Sequence, residues 1–225
     1  MLSLVDTFKL EKFVYAASSS CYGVAKTPTK ETDKINPMYP YAKSKYLGEQ
    51  VCMHWNKVYN LKINSVRIFN AYGTRSRTTG AYGAVMGVFM KQLLTNKPFT
   101  VVGDGKQKRD FLYVSDVAKA FYKAATTKKN GMIWNLGSSN PQSINKLCKL
   151  LGAKKKIYLP KRPGEPTQTY ANTNKIRKDL NWKPAVSFEE GIKKILDEKN
   201  YWKKSPLWTK KKIFKATKEW FKYLK

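Results

Sequence analysis

The sequence predicts an α/β fold built on a largely parallel sheet, and three observations carry that expectation. Short β-branched and aromatic runs of strand length alternate with longer stretches of helical period. The breaks between them are rich in Ser, Gly, Pro and Asn. Helix-start residues, a proline or a serine, follow several of those breaks. Strands that alternate with helices pair in parallel because each crossover returns the chain to the same end of the sheet.

Taken in order, residues 1–9 read as the last turns of a helix, and Lys12 to Ser18 as a buried strand. Residues 24–38, with Pro28 and Pro37, read as a loop, and a helix runs from Pro40 to about Val58. Lys62 to Phe69 is the next strand, and Asn70 to Gly83 is a Gly-, Thr- and Arg-containing loop. Val85 to Leu94 has helical period, and Phe99 to Val102 is a strand closed by the turn GDG. Ser115 is expected to cap a helix, Met132 to Leu136 to form a strand, and Ser143 to cap a further helix. Ile157 to Leu159 is a strand leading into the loop KRPGEP. Two helices close the chain, at about 188–203 and 210–224. The last carries Ile213, Phe214, Trp220, Phe221 and Leu224, an apolar stripe read as core.

The 225 residues suffice for one sizeable core, and a hydrophobic content of 42% suits a folded protein. No run approaches the length of a membrane span, and the N-terminal segment is a poor signal peptide. Cys21, Cys52 and Cys148 are scattered and odd in number, which points to a reducing cytoplasm and away from a disulfide framework or a zinc site. The formal charge of +29 comes overwhelmingly from lysine, spread along the whole chain. Dispersed lysine reads as a solvated surface more than as a nucleic-acid face, for which arginine is the favoured residue. Such a field still draws anionic ligands inward.

Several chemistries lack their residues. His54 is the only histidine and lies mid-helix, so no Ser/His/Asp triad or histidine metal cluster forms around it. No Gly-x-Gly-x-x-Gly follows a strand. What remains is a tyrosine with a lysine four residues later, which share one face of a helix. An ammonium beside a phenol stabilises the phenolate and makes a usable general base. Three pairs qualify: Tyr22/Lys26, Tyr39/Lys43 and Tyr41/Lys45. The first lies in a loop, and Tyr39 precedes Pro40, whose ring disfavours helical geometry there. Only Tyr41 and Lys45 both lie within the helix, although periodicity alone reads Tyr41 as a buried aromatic.

Seven segments shift that balance. VYAASSSCYG, PYAKSKYLGEQ, RIFNAYG, GDGKQKRDFLYVSDVAKAF, WNLGSS, LPKRPGEP and LNWKPAVSFEEGI stand in an order and spacing that resemble the extended short-chain dehydrogenase/reductases acting on nucleotide sugars. The likeness, from about residue 10 to 195, is strongest to UDP-glucose and UDP-N-acetylglucosamine 4-epimerases. It implies the C-terminal part of a Rossmann-like parallel sheet plus a small α/β substrate-binding subdomain, the first βαβ units missing. Residues 1–70 would be the remnant of the NAD-binding domain, and 71–225 mainly the nucleotide-sugar subdomain with return segments to the Rossmann core.

The resemblance also implies roles. Tyr41 would take the proton from the sugar 4-hydroxyl, Lys45 would lower the cost of that step and hold the nicotinamide ribose, and Ser18 would relay the proton. Ala16, on the same strand, would border the NAD. Ser19 and Ser20 would line the sugar pocket, and Asn70 would contact the diphosphate. Arg109 and Arg162 would neutralise it, while Glu165 would accept hydrogen bonds from the uridine ribose. The segment Gly80 to Val85, with Ala84 and Val85, would pack on the base and sugar. The implied reaction oxidises C4 transiently with bound NAD, turns the 4-keto sugar and returns the hydride to the other face. Sugar 4,6-dehydratases place Asp-Glu where this chain has Ser19 and Ser20, which disfavours dehydration.

Whole family members open with the glycine-rich βαβ unit that holds the NAD pyrophosphate, and this chain begins just before the strand bearing Ser18. The NAD site is therefore expected to be incomplete within it. A separately encoded N-terminal half, a shortened reading frame and a non-catalytic remnant are the competing explanations. Family members commonly pair through a four-helix bundle, which implies a homodimer through the Tyr41 helix. Two alternatives stay open: a nucleotide-sugar decarboxylase or dehydratase on the same scaffold, and a non-catalytic module binding nucleic acid or anionic polysaccharide.

Overall fold

A computed structural model describes residues 10–76 and 85–224. The expected helix over residues 1–9 and the segment from Gly80 to Ala84 lie outside the described residues. In chain order the elements are β1 (Phe13–Ser18), a 3-10 turn (Ser19–Tyr22), α1 (Pro40–Tyr59), β2 (Ile63–Ile68), β3 (Asn70–Tyr72) and α2 (Val85–Leu94). There follow β4 (Phe99–Val102), β5 (Lys108–Arg109), β6 (Phe111–Tyr113), α3 (Val114–Thr126), β7 (Ile133–Leu136) and β8 (Gln142–Ser143). The chain closes with α4 (Ile144–Leu150), β9 (Lys156–Leu159), α5 (Asn174–Leu180), α6 (Phe188–Asp197), a 3-10 stretch (Lys199–Lys204) and α7 (Lys210–Tyr223).

The sheet that positions the site has the order β1-β2-β7, all parallel. Its register sets Ser18 opposite Ile68 and Ile68 opposite Leu136, so the three carboxyl ends are level. Ligands of parallel α/β sheets bind beyond those ends. Two further parallel pairs, β3-β6 and β4-β9, and an antiparallel pair, β5-β8, build the remainder.

Helix α1 starts at Pro40, whose fixed φ suits the first turn and whose missing N–H would have had no helical partner. Its inner side packs Cys52 on Ile63 and Leu61, with Phe13, Tyr15 and Trp55 around them. Gly48 permits the close approach, because a Cβ there would overlap the Tyr15 hydroxyl. Beneath it Arg67 and Glu49 are both buried and joined by a two-pronged ion pair, Nη2 to Oε1 at 2.6 Å and Nε to Oε2 at 3.0 Å. The remaining donors of Arg67 go to the Tyr22 hydroxyl (2.7 Å) and the Glu31 carbonyl (3.1 Å), and Ser65 donates to Glu49 (2.8 Å). Such dense hydrogen bonding around both charges is what makes a buried ion pair tolerable.

On the sheet's other side Val66, Leu112, Trp134, Leu136, Ile176 and Trp182 form one apolar cluster. A second, around Tyr72, Phe89, Phe99, Phe111, Phe188 and Trp202, holds the smaller strand pairs against α2 and α6.

Several sequence expectations need correction. The loop expected from Asn70 begins with β3, which exists because Asn70 to Tyr72 pairs with Phe111 to Tyr113. Ser115 does not cap α3: the helix begins at Val114, and Ser115 lies inside its first turn. Asp116 is the acid of that turn and accepts from the Ala185 and Val186 amides, each at 2.9 Å, which ties the chain before α6 to α3. Helix α5 was not expected, and the helix expected over 188–203 changes to 3-10 geometry after Asp197. On α7 the buried residues are Ile213 and Thr217, whereas Phe214 points outward at 64% exposure, so the stripe is not simply core. Among the described residues no helix is long and apolar enough to cross a membrane.

Candidate active site

A cleft of 910 Å³ opens between the start of α1, the smaller strand pairs, α2 and α7. Tyr39, Tyr41, Asn70, Val85, Arg109, Arg162 and Glu165 are among the residues that line it. The chain thus gathers residues from α1, β3, α2, β5 and the loop after β9 around one space, of a size suited to a drug-sized ligand.

Of the three tyrosine–lysine pairs, the structure separates them by surroundings. Tyr22 is buried, donates to Asn135 Oδ1 (2.7 Å) and accepts from Arg67, and burial pushes its phenol far above the ordinary value. It is a structural residue. Tyr39 is raised as well, chiefly by burial, with the Ser20 side chain beside its phenol opposing the shift. Tyr41 is 54% exposed, which overturns the buried-aromatic reading, and its ring stacks on Tyr39 at 6.4 Å.

Lys45, one turn along α1, donates from Nζ to the Ala16 carbonyl at 3.0 Å and lies 5.6 Å from the Tyr15 ring. Its ammonium is therefore fixed against the same strand that ends in Ser18. The Ser18 Oγ accepts from the Ser20 amide (3.2 Å) and from Ser20 Oγ (2.9 Å), capping the 3-10 turn. Ser19 faces a separate small recess beside Tyr22 and Phe69. None of the three serines lines the cleft itself: Ser20 lies against Tyr39, which does, Ser18 is joined to Ser20, and Ser19 lines the separate recess.

At the opposite end, Arg109 and Arg162 both face Glu165, at 3.5 Å and 3.0 Å. Arg109 is further held by its Nη1 on the Lys108 and Pro166 carbonyls, at 2.9 and 3.0 Å. Burial pulls Arg109 down from its ordinary value while Glu165 pushes it back, and a guanidinium stays charged throughout. The Asn70 Oδ1 is taken by Thr169 Oγ1 at 2.7 Å, so its contribution to an anion is the amide NH2. Two guanidiniums and an amide thus face the cleft together, a donor set of the kind that pairs with anions. Val85 lines the cleft from α2. Ala84 lies outside the described residues.

Sequence reasoning missed Asp110. It is fully buried and accepts from the Ser138 amide (2.7 Å), Ser138 Oγ (2.5 Å), the Ser139 amide (3.3 Å) and the Ala171 amide (2.8 Å). It fastens the β7 exit and the 170s segment beside Arg109. Gly137 is required there, since a Cβ would lie 2.5 Å from Asp110 Oδ2. The signal was an acid between an arginine and the apolar run FLY. Tyr39 and Trp220 were also missed as cleft residues. Among the described residues no group of His, Cys, Asp and Glu could hold a metal ion.

A parallel sheet with a tyrosine–lysine pair on the adjoining helix and an arginine-lined cleft beside that helix defines an α/β protein of Rossmann-like architecture. Comparison with known proteins sharpens this. Residues 1–137 match the NAD dependent epimerase/dehydratase family, and the chain belongs to that family. It is 34% identical over 204 residues to a putative UDP-glucose 4-epimerase of Methanocaldococcus jannaschii, covering 88% of this chain and 66% of that protein. It is 35% identical to the UDP-glucuronate 4-epimerase of Thermodesulfobacterium geofontis, covering 88% and 62%. Among solved structures, the UDP-glucuronic acid 4-epimerase of Bacillus cereus in complex with UDP-glucuronic acid and NAD superposes with a TM-score of 0.79 at 34% identity, covering 85% and 62%. The chain therefore spans less than two-thirds of these relatives' length.

The family is NAD-dependent. Toward that cofactor the described residues offer an ammonium anchored on the Ala16 carbonyl, that of Lys45, and an exposed phenol one turn earlier on the same helix, that of Tyr41.

Proposed function

We propose that the chain carries the proton-transfer group and the substrate cleft of a UDP-hexose or UDP-N-acetylhexosamine 4-epimerase. The observation that carries this reading is that Tyr41 opens onto the same cleft as Arg109, Arg162 and Asn70. The base and the diphosphate site thus share one continuous space. Tyr41 takes the proton of the sugar O4 and returns it after the ring has turned. Ser18, linked through Ser20 to Tyr39, relays that proton, and Lys45 holds the nicotinamide ribose and balances the phenolate charge. NAD, when bound, supplies the hydride acceptor at C4. Arg109, Arg162 and Asn70 grip the diphosphate, so the nucleotide stays anchored while the sugar rotates. Glu165 spaces the two guanidiniums before the ligand arrives and then meets the uridine ribose.

The domain division follows the same logic. Residues up to 70 supply the cofactor side and lend Tyr39, Tyr41 and Asn70 to the cleft, and 71 onward supply the rest of the cleft, with β7 returning to the sheet. Leu47, Val51 and Val58 form an exposed stripe on α1, half or more accessible, and support a homodimer through that helix.

The test is incubation with NAD and UDP-glucose, UDP-N-acetylglucosamine or UDP-glucuronate, with any separately encoded N-terminal half added, followed by product analysis. Tyr41→Phe is expected to lower turnover at least a hundredfold, the usual range for a general base. Equal turnover in both proteins removes Tyr41 from the mechanism.

A further inference from the structure

Helix α7 does more than cover the core, because Ile213, Glu219, Trp220, Tyr223 and Leu224 all line the cleft. Trp220 is the point of contact with both of its ends. Its Nε1–H donates to the Pro163 carbonyl at 2.8 Å, and its ring meets Tyr39 at 5.2 Å between centroids, tilted by 43°. Pro163 lies between Arg162 and Glu165, the ion pair at the anion end. Tyr39 stacks on Tyr41, and its phenol lies against Ser20, which in turn donates to Ser18. One indole on the last helix therefore touches the arginine loop and the aromatic neighbour of the proposed base.

We propose that Trp220 is a positioning residue for nucleotide-sugar binding, fixing the 161–166 loop and Tyr39 across the cleft so that α7 is a working wall of the site. The inference rests on the nucleotide-sugar reading of the cleft. The loop needs such a tie: Gly164 follows Pro163 with φ at +71°, so the chain turns through a permissive residue next to the carbonyl that Trp220 holds. A loop fixed before binding loses less entropy when the ligand arrives. Helix α7 is a wall and not a plug, because the cleft measures 910 Å³ with α7 in place.

Calorimetric titration of the full chain with UDP and with UDP-N-acetylglucosamine tests this. Trp220→Phe keeps a ring beside Tyr39 but loses the N–H donor. It is expected to weaken both ligands by the same factor, roughly three- to tenfold, the worth of one hydrogen bond. Trp220→Ala is expected to weaken both more than tenfold. Phe214→Ala, on the outward side of α7, is expected to leave both unchanged, which separates positioning from general loosening of the helix. Should Trp220→Ala fail to fold, Trp220→Phe decides the matter. Wild-type affinity in the Trp220 variants, or tighter binding, overturns the proposal while the nucleotide-sugar reading survives. A wild-type chain that melts cooperatively yet binds no UDP overturns both.

Discussion

Arg67 and Arg109 each face a glutamate, but the two pairs differ in what they leave available. Arg67 and Glu49 are 4% and 1% exposed and meet at 2.6 Å, and the other donors of Arg67 end on Tyr22 and the Glu31 carbonyl. Arg109 and Glu165 are 14% and 24% exposed, meet at 3.5 Å, and open onto the cleft with Arg162 beside them. The same two residue types are committed to the fold where the ion pair is tight and enclosed, and stay available to a ligand where it is loose and reachable by solvent. A buried pair is costly to break because the survivor keeps an uncompensated charge, whereas a partly solvated pair loses little.

The contrast is sharpest in stability. Glu49→Ala is expected to cost about 3–5 kcal/mol, read by urea denaturation, because Arg67 is left charged and buried. A loss below about 1 kcal/mol would place the pair with the solvated ones and break the comparison. Asp110→Ala comes next, at about 2–3 kcal/mol, since the Ser138, Ser139 and Ala171 donors lose their acceptor. Arg109→Ala or Arg162→Ala is expected to weaken UDP binding roughly tenfold in a titration, with a much smaller change in the urea midpoint than Glu49→Ala. The smallest effect belongs to the exposed pair Lys146–Glu189, at 2.6 Å. The Lys146 ammonium holds the Glu189 carboxyl below its ordinary value, so its contribution is present above the ordinary carboxylate range and lost as pH falls through the lowered value. Glu189→Gln is expected to flatten the acid limb of a melting-temperature profile slightly between about pH 5 and 3, without moving the neutral plateau.

The long elements were legible in the sequence because their own residues specify them. Helix α1 declares itself with Pro40 and twenty residues of helix-compatible sequence, and β1, β2 and β7 are short runs with β-branched or aromatic residues, bounded by breakers. What was not legible depends on partners distant in the chain. β3 is three residues long and exists by pairing with β6, some forty positions later. Helix α5 has seven residues, and its buried Ile176 and Leu180 join a cluster assembled from β2, β6, α3 and β7. At the site, spacing left Tyr41 and Lys45 as the one pair within a helix, and the resemblance gave them, like the arginines, a role. Neither identified Tyr39, because the proline after it argued against a helical pair. That same proline keeps Tyr39 extended, at φ −152° and ψ 161°, just ahead of α1 and in the cleft wall. Trp220 was concealed by its own period, since an apolar stripe on a helix looks the same whether it faces a core or a binding cleft.

Five of the six tryptophans fall into two environments: Trp134, Trp182 and Trp202 are sealed in the interior, whereas Trp208 and Trp220 line the cleft, and Trp55 is half-buried against α1's own apolar cluster. Light emitted by the first set is indifferent to what occupies the site, while the second set reports it. The protein thus contains its own optical probe, and the quenching or colour shift of indole emission on adding a nucleotide can be followed without attaching any dye.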